Sequence, residues 1–362
     1  MIGRKRVLIA PLDWGLGHAT RCIPIIRELL SRGYEVLIAG EGTIKFLLQK
    51  EFPGIECLPL KGYDIEYARS KAWFLPRILM QIPKLLISIK KEKKWLEKII
   101  EKNKIDIVIS DNRFGLNNKK IYSIFITHQL FIKTPLMEEW LQKLNYRFIN
   151  QFDECWIPDI QEKPNLAGKL SHPEKLPTIP IRYIGCLSRF TPTPALLEKH
   201  LLILLSGPEP QRSLLEKKLI AQLKNFSSPV LLVRGLPGNS DSIEMGPQIT
   251  CINHLPAQVL QKAVIEASFV IARSGYSTIM DLMKLKKKSI LIPTPGQTEQ
   301  EYLAEHIMQQ NFAFTIEQQN FDLQKALSAA QSFPYSFLPL NENVDLLKEA
   351  LSFKHGFALS LV

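Results

Sequence analysis

The segment Arg273-Ser274-Gly275-Tyr276-Ser277-Thr278, followed by Asp281, puts small hydroxylated residues, a glycine and a carboxylate within nine positions. It follows the apolar run Phe269-Val270-Ile271-Ala272 and opens into a helical pattern over 279–285. A buried strand, a short Ser/Gly turn and a helix start leave several backbone N–H groups without intrahelical partners. With the positive end of the helix dipole, those groups make a seat for phosphate. Asp281 offers a carboxylate that accepts hydrogen bonds from sugar hydroxyls. An ordinary capped strand–helix junction is the competing interpretation, and the segment alone does not choose between them.

A second constellation lies near the start of the chain. The apolar residues 7–10 lead into Pro11-Leu12-Asp13-Trp14-Gly15-Leu16-Gly17-His18. Gly15 and Gly17 let a backbone approach a ligand at the end of a strand. A dinucleotide fingerprint would need a third glycine where Thr20 stands, so that reading is poor. His18 begins a helix: it is either a polar helix-start residue or an imidazole suited to general-base work near neutral pH. The run 105–109 ends in Ser110-Asp111-Asn112-Arg113, and 121–126 ends in Thr127-His128-Gln129. Polar residues at the carboxyl ends of successive parallel strands point into a ligand crevice, although Asp111 and His128 could each simply cap a following helix.

Two α/β series position these residues. The first alternates strands at 7–10, 35–39, 105–109, 121–126 and 154–157 with helices, one of which carries Ile23, Ile26, Leu29 and Leu30 and stops at Gly33. Its segment 71–104 is basic and amphipathic, broken by Pro76 and Pro83; its apolar face either packs on the core or lies in a membrane interface. Six prolines between 163 and 194 read as an interdomain connection with its break near 190. The second series has strands at 201–205, 230–233, 249–252, 269–272 and 289–292. The first of these ends in Ser206-Gly207, the third in His254-Leu255-Pro256, and the last leads to Gln300-Glu301-Tyr302. The pattern predicts two Rossmann-like doubly wound parallel-sheet domains facing a cleft, over 1–188 and 189–343, with a C-terminal helix and tail over 344–362.

The 362 residues, 46% hydrophobic and 22% charged, suit a soluble globular protein of two domains. Five scattered cysteines without a CxxC pair point to a reducing compartment. No run reaches the roughly 18–20 apolar residues of a membrane span, and no secretory leader is evident. A net charge of +11 suggests an anionic partner or lysine-rich solvated faces; nucleic acid is disfavoured, because no helix-turn-helix, RNP-type or zinc-finger pattern occurs.

Taken together, Arg273-Ser274-Gly275, the acid at Asp281 and Gln300-Glu301-Tyr302 resemble the donor half of GT-B glycosyltransferases, family 28 branch, which contains the peptidoglycan lipid-intermediate N-acetylglucosaminyltransferase. Gly17-His18, His128-Gln129 and the Ser206-Gly207 loop are similar to that family's motifs in the same order. The chain departs from the family in lacking a Glu between His128 and Gln129. It also has Glu301 where the family has a second Gln, which replaces an amide with an acceptor-only group.

The resemblance implies a GT-B fold and transfer of a sugar from a nucleotide diphosphate, UDP first, to an unknown acceptor that is lipid-linked or membrane-associated. It implies inversion. Ser274 and Gly275, assisted by Ser206 and Gly207, would hold the diphosphate, Asp281 the ribose, Leu255 the uracil, and Gln300 and Glu301 the transferred sugar, with Ser277 also on the donor side. Gly15, Gly17, His18, His128 and Gln129 would serve the acceptor side. His18 is favoured as base, with Asp13 or Asp111 as orienter or replacement. Arg273 is a phosphate neighbour or a core-edge salt bridge, the second being favoured. With no Asp-x-Asp element, no metal and no cofactor are expected, and helix dipoles would stabilise the leaving group. The expected location is cytoplasmic, peripheral on the inner membrane face through 71–104. A non-hydrolysing sugar-nucleotide 2-epimerase or a hydrolase on the same fold, or a non-catalytic membrane-docking subunit, are the alternatives.

Overall fold

The computed structural model describes residues 4–63, 71–133, 137–194, 197–241, 243–338 and 345–353, with 71–79 as backbone. The side chains at 71–79, Pro76 and Arg77 among them, lie outside the described residues, as do 344 and 354–362 of the C-terminal segment.

The first series gives β1 (Arg6–Pro11), α1 (Leu16–Ser31), β2 (Glu35–Ala39), α2 (Gly42–Glu51), β3 (Cys57–Leu58), α3 (Lys71–Asn103), β4 (Ile107–Asp111), β5 (Tyr122–Ile126), α4 (Glu138–Ile149), β6 (Glu154–Ile157) and β7 (Ile181–Tyr183). Its seven strands are all parallel, in the order β3-β2-β1-β4-β5-β6-β7. Strands covered by helices on both faces are apolar throughout, which is why 7–10 and 107–110 read as unbroken buried runs. Helix α1 buries Cys22, Ile23, Ile25, Ile26 and Leu29 and ends at Gly33, whose φ of 79° a residue with a Cβ rarely adopts. Leu30, expected on the buried face, is instead 42% exposed.

The second series gives β8 (His200–Leu204), α5 (Gln211–Leu223), β9 (Val230–Val233), β10 (Ile249–Ile252), α6 (Ala257–Ile265), β11 (Ala267–Ala272), α7 (Tyr276–Lys284), β12 (Ser289–Leu291), α8 (Thr298–Gln309), β13 (Phe314–Thr315), α9 (Leu323–Gln331) and α10 (Leu346–Leu351). Its six strands are again parallel, ordered β10-β9-β8-β11-β12-β13.

Two further expectations need correction. Segment 71–104 is not broken at its prolines: α3 runs continuously over 33 residues. An interior proline costs a helix roughly 3 kcal/mol, which burial of Ile89, Leu96 and Ile100 can outweigh. The proline-rich stretch is not only a connector, since it contributes β7. Its turn is held by Asp159, whose carboxylate accepts from the Leu166 and Ala167 amides at 3.0 and 2.9 Å and from the Ser171 hydroxyl at 2.7 Å. The C-terminal helix α10 packs back on the first domain. Arg32 Nη2 donates to the Lys348 carbonyl at 2.7 Å, and Tyr34 meets Phe353 edge-on at 5.8 Å.

Each sheet reverses its direction of winding once, between β1 and β4 in the first and between β8 and β11 in the second. Loops leaving adjacent strands there diverge to opposite faces and open a crevice at the carboxyl edge. Both crevices carry the residues singled out above.

Candidate active site

At the first reversal, Pro11 of β1 pairs in register with Asp111 of β4. Gly15, at φ 94°, caps α1, so His18 falls on the first turn of the helix and Arg21 one turn later on the same side. His18 Nδ1 lies 3.0 Å from Asp111 Oδ1. Arg21 Nε donates to Asp111 Oδ2 at 2.6 Å, and its Nη2 also donates to Oδ1. Asp111 is fully buried, which alone would raise its pKa. The charges of Arg21 and His18 and their hydrogen bonds outweigh that and hold the carboxyl far below the usual range. His18 is pushed down, first by burial and then by Arg21, against the opposing pull of Asp111. Burial thereby favours the neutral imidazole. Asp13 does not join this group; its Oδ1 accepts from the Tyr63 amide at 3.2 Å.

His128, at the end of β5, joins the same cluster. Its Nδ1 is 3.0 Å from Arg21 Nη1, and its Nε2 is 2.8 Å from Glu299 Oε1 at the start of α8. Its ring stacks on Tyr276, the first residue of α7. Gln129 follows in a tight turn, its amide donating to the Thr127 hydroxyl at 3.0 Å. Arg21 and Glu299 were not anticipated. Arg21 had one usable signal, its three-residue spacing from His18. An acid near a helix start ordinarily reads as a dipole partner, so Glu299 gave none.

At the second reversal, Gly207 (φ 103°) turns the chain after β8, and Gly275 caps α7 after β11. Ser274 is buried and donates its hydroxyl to the Gln300 carbonyl at 2.9 Å. Gln300 Oε1 accepts from both the amide and hydroxyl of Thr294, at 3.0 and 2.9 Å, and Glu301 Oε1 accepts from the Gly296 amide at 3.0 Å. These bonds fold the β12–α8 loop against the α7 N-terminus. Ser277 Oγ crosses to the first domain and donates to the Gly17 carbonyl at 2.9 Å.

Arg273 makes no salt bridge among the described residues, contrary to the favoured expectation. Its guanidinium donates to the carbonyls of Gln211, Pro293 and Ile292 at 2.8, 3.1 and 3.4 Å. It thus ties together the loops after β8, β11 and β12, and burial lowers its pKa to about 10. Asp281 lies against the interdomain segment, where Ser188 Oγ donates to it at 2.7 Å and Arg189 Nε at 3.1 Å. Leu255 is nearly buried beside a cavity of about 340 Å³, lined by Phe46 and Lys50 of α2 and by Gly238, Asp241, Asn253 and His254 of the second domain.

Two all-parallel domains with polar strand-end loops facing each other have the architecture of the GT-B fold. Residues 247–350 match the profile of the glycosyltransferase family 28 C-terminal domain. Curated relatives named "Uncharacterized glycosyltransferase" come from Methanosarcina acetivorans and Methanosarcina mazei. They are each 24% identical, over 82% and 85% of this chain and 81% and 84% of theirs. Among solved structures, the glycotransferase of kitacinnamycin superposes with a TM-score of 0.63 at 17% identity, covering 92% of both chains. MurG of Acinetobacter baumannii superposes at 0.53 and 13%, covering 91% of this chain and 90% of that one. These likenesses concern the fold.

Proposed function

We propose that the protein transfers a sugar, with inversion and without a metal, from a uridine diphosphate donor to a hydroxyl of a lipid-linked or membrane-associated acceptor. The observation that carries this reading is the contact of the two crevices. The first turn of α1, which carries His18 of the His18–Asp111 pair, meets the N-terminal turn of α7 through the Ser277–Gly17 bond at 2.9 Å.

In this reading the donor diphosphate sits between the Ser206-Gly207 loop and the Ser274-Gly275 turn. Backbone N–H groups and the dipole of α7 would take the charge that develops on the leaving group. Asp281 would accept from the ribose hydroxyls beside its bonds to Ser188 and Arg189. The base would lie at Leu255 and the neighbouring cavity, and Gln300 and Glu301 would face the transferred sugar. His18, with Nδ1–H held by Asp111, would use Nε2 to take the proton of the attacking hydroxyl. Gly15, Gly17, His128 and Gln129 would border the acceptor.

The acceptor side is supported by α3. It exposes Met80 (75%) and Ile87 (54%) beside Lys90, Lys91 and Lys94, a composition suited to an anionic leaflet and hence to the inner face of a membrane. No described helix is long and apolar enough to cross a membrane.

Thermal stabilisation by a panel of nucleoside diphosphates tests the donor assignment, because a ligand that binds only the folded state raises its melting point. Uridine diphosphate should stabilise the wild type and lose that effect in Asp281→Ala. An Asp281→Ala protein that still discriminates uridine from guanosine and thymidine diphosphates as the wild type does would refute the ribose role. Epimerised donor in the absence of any acceptor would refute transfer itself.

A further inference from the structure

We propose that the first domain completes the nucleobase subsite of the donor: Phe46 stacks on the base, Lys50 donates to a carbonyl oxygen of its ring, and Glu51 is the positioning residue that holds both over the cavity. This rests on the placement of the base beside Leu255 proposed above.

The cavity of about 340 Å³ has two unlike walls. The wall from the second domain is backbone, held from behind. Asn253 Nδ2 donates to the carbonyls of Asn239 and Asp241 at 2.9 and 2.7 Å, and Asn253 Oδ1 accepts from Arg234 Nη1 at 2.9 Å. Arg234 is itself fixed by Glu216 at 2.6 Å. Both hydrogens of the Asn253 amide are thus spent on the loop, and this side chain has none left to donate to a ligand. At Gly238 (φ 83°) no heavy atom stands within 4 Å of where a Cβ would project, so the loop leaves room beside it.

The opposite wall is the last turn of α2. Phe46 and Lys50 are one turn apart on the same face, with Lys50 Nζ 5.9 Å from the centroid of the Phe46 ring. Phe46 is 44% exposed, and Lys50 is exposed with no hydrogen bond or ion pair to another described residue. An aromatic face next to an ammonium suits a flat ring that bears carbonyl oxygens: the ring stacks and a carbonyl accepts. A phosphate would use the charge and leave the aromatic ring idle. An acyl chain would use the aromatic ring and desolvate the ammonium at a cost.

Glu51 ties this wall to the loop that takes the base. Pro256, the N-cap of α6, offers no side-chain acceptor to the first turn of that helix. Glu51 Oε1 supplies one from the other domain, accepting from the Ala257 amide at 3.1 Å, and its charge meets the positive end of α6. Its second oxygen lies 3.5 Å from Arg27 Nη2, and Arg27 Nη1 donates to the Arg189 carbonyl at 2.9 Å. Glu51 directly follows Lys50, and Ala257 stands two residues after Leu255, so one hydrogen bond sets the distance between the two walls. The Lys50 charge reaches the lining: burial first, then Lys50 and Arg189, push the His254 imidazole below its ordinary pKa, against the pull of Glu51.

Titration calorimetry on the full chain tests this, with uridine diphosphate compared with inorganic pyrophosphate, which lacks a base. Phe46→Ala should weaken uridine diphosphate by about 5- to 100-fold and Lys50→Met by about 10-fold, while pyrophosphate affinity stays at the wild-type value. Glu51→Ala should show the same selective loss. Glu51→Gln, which keeps an acceptor for the Ala257 amide, should recover most of it. Unchanged uridine diphosphate affinity in Phe46→Ala and Lys50→Met overturns the proposal. An equal loss for pyrophosphate also overturns it, because Lys50 would then serve the phosphates. A wild type that prefers another nucleoside diphosphate, weakened by Phe46→Ala with pyrophosphate spared, would remove the uridine assignment and leave the first-domain wall standing.

Discussion

The rings of His128 and Tyr276 stack with centroids 4.2 Å apart and planes within 7°, one ring from each parallel-sheet domain. Tyr276 also donates its hydroxyl to the Pro158 carbonyl at 2.7 Å, so a single side chain at the head of α7 joins the domains by packing and by a hydrogen bond. Tyr276→Phe keeps the ring and leaves the buried carbonyl unpaired, which should cost about 1–3 kcal/mol. Tyr276→Ala also forfeits the stack and opens a cavity, costing about 3–5 kcal/mol. Urea unfolding followed by circular dichroism should rank them in that order.

Asp111 is the buried counter-charge of Arg21, and removing one partner of such a pair strands the other. Asp111→Asn should therefore lose roughly 3–5 kcal/mol, more than a double change of Arg21 and Asp111 to Met and Leu. The pH dependence has a definite sign. The folded pKa of Asp111 lies below its unfolded value, so its contribution is complete above about pH 4 and declines only as the pH falls towards the folded value. Wild-type stability measured between pH 5 and 2 should fall more steeply than that of Asp111→Asn.

His18 is depressed by burial, so the base stays unprotonated below the ordinary histidine range. The acid limb of donor turnover should have its midpoint under about 6.5, and His18→Gln should lower the rate by about 10²–10⁴-fold. An initial-rate pH profile with uridine diphosphate sugars measures both. For stability the sign is the same as for Asp111: the folded state prefers neutral His18, so acidification through this range weakens the fold.

Arg273 presents its fork to three carbonyls on two other loops. Lysine keeps the charge but cannot span that arrangement. Arg273→Lys should lose about 2–4 kcal/mol as carbonyls go unpaired, and the rise in melting temperature with uridine diphosphate should shrink because the loops after β8, β11 and β12 are no longer held in register. Calorimetric scans with and without the nucleotide measure both effects.

Much of this molecule is determined by local pattern. Alternating apolar runs and amphipathic segments, with turn glycines between them, are enough to specify two parallel α/β domains. Polar residues at or just after the ends of strands 6–11, 107–111, 122–126 and 267–272 lie at the carboxyl edge of a sheet, which put His18, Asp111, His128, Ser274 and Gly275 at the crevices. Elements whose stability comes from packing were not legible. The strand at 181–183 is three residues inside a proline-rich stretch, and the continuity of α3 through its prolines depends on the apolar positions it buries. The same limit applies to the site. Sequence spacing could not say whether Asp13 or Asp111 faces His18, because both follow strands. Only the pairing of β1 with β4 brings Asp111 to the imidazole, while Asp13 turns to Tyr63. Arg21, Glu299 and the carbonyl clamp of Arg273 are matters of tertiary structure for a common reason. A buried charge is defined by what surrounds it, and here the surroundings come from chain segments as much as 278 residues apart, the interval from Arg21 to Glu299.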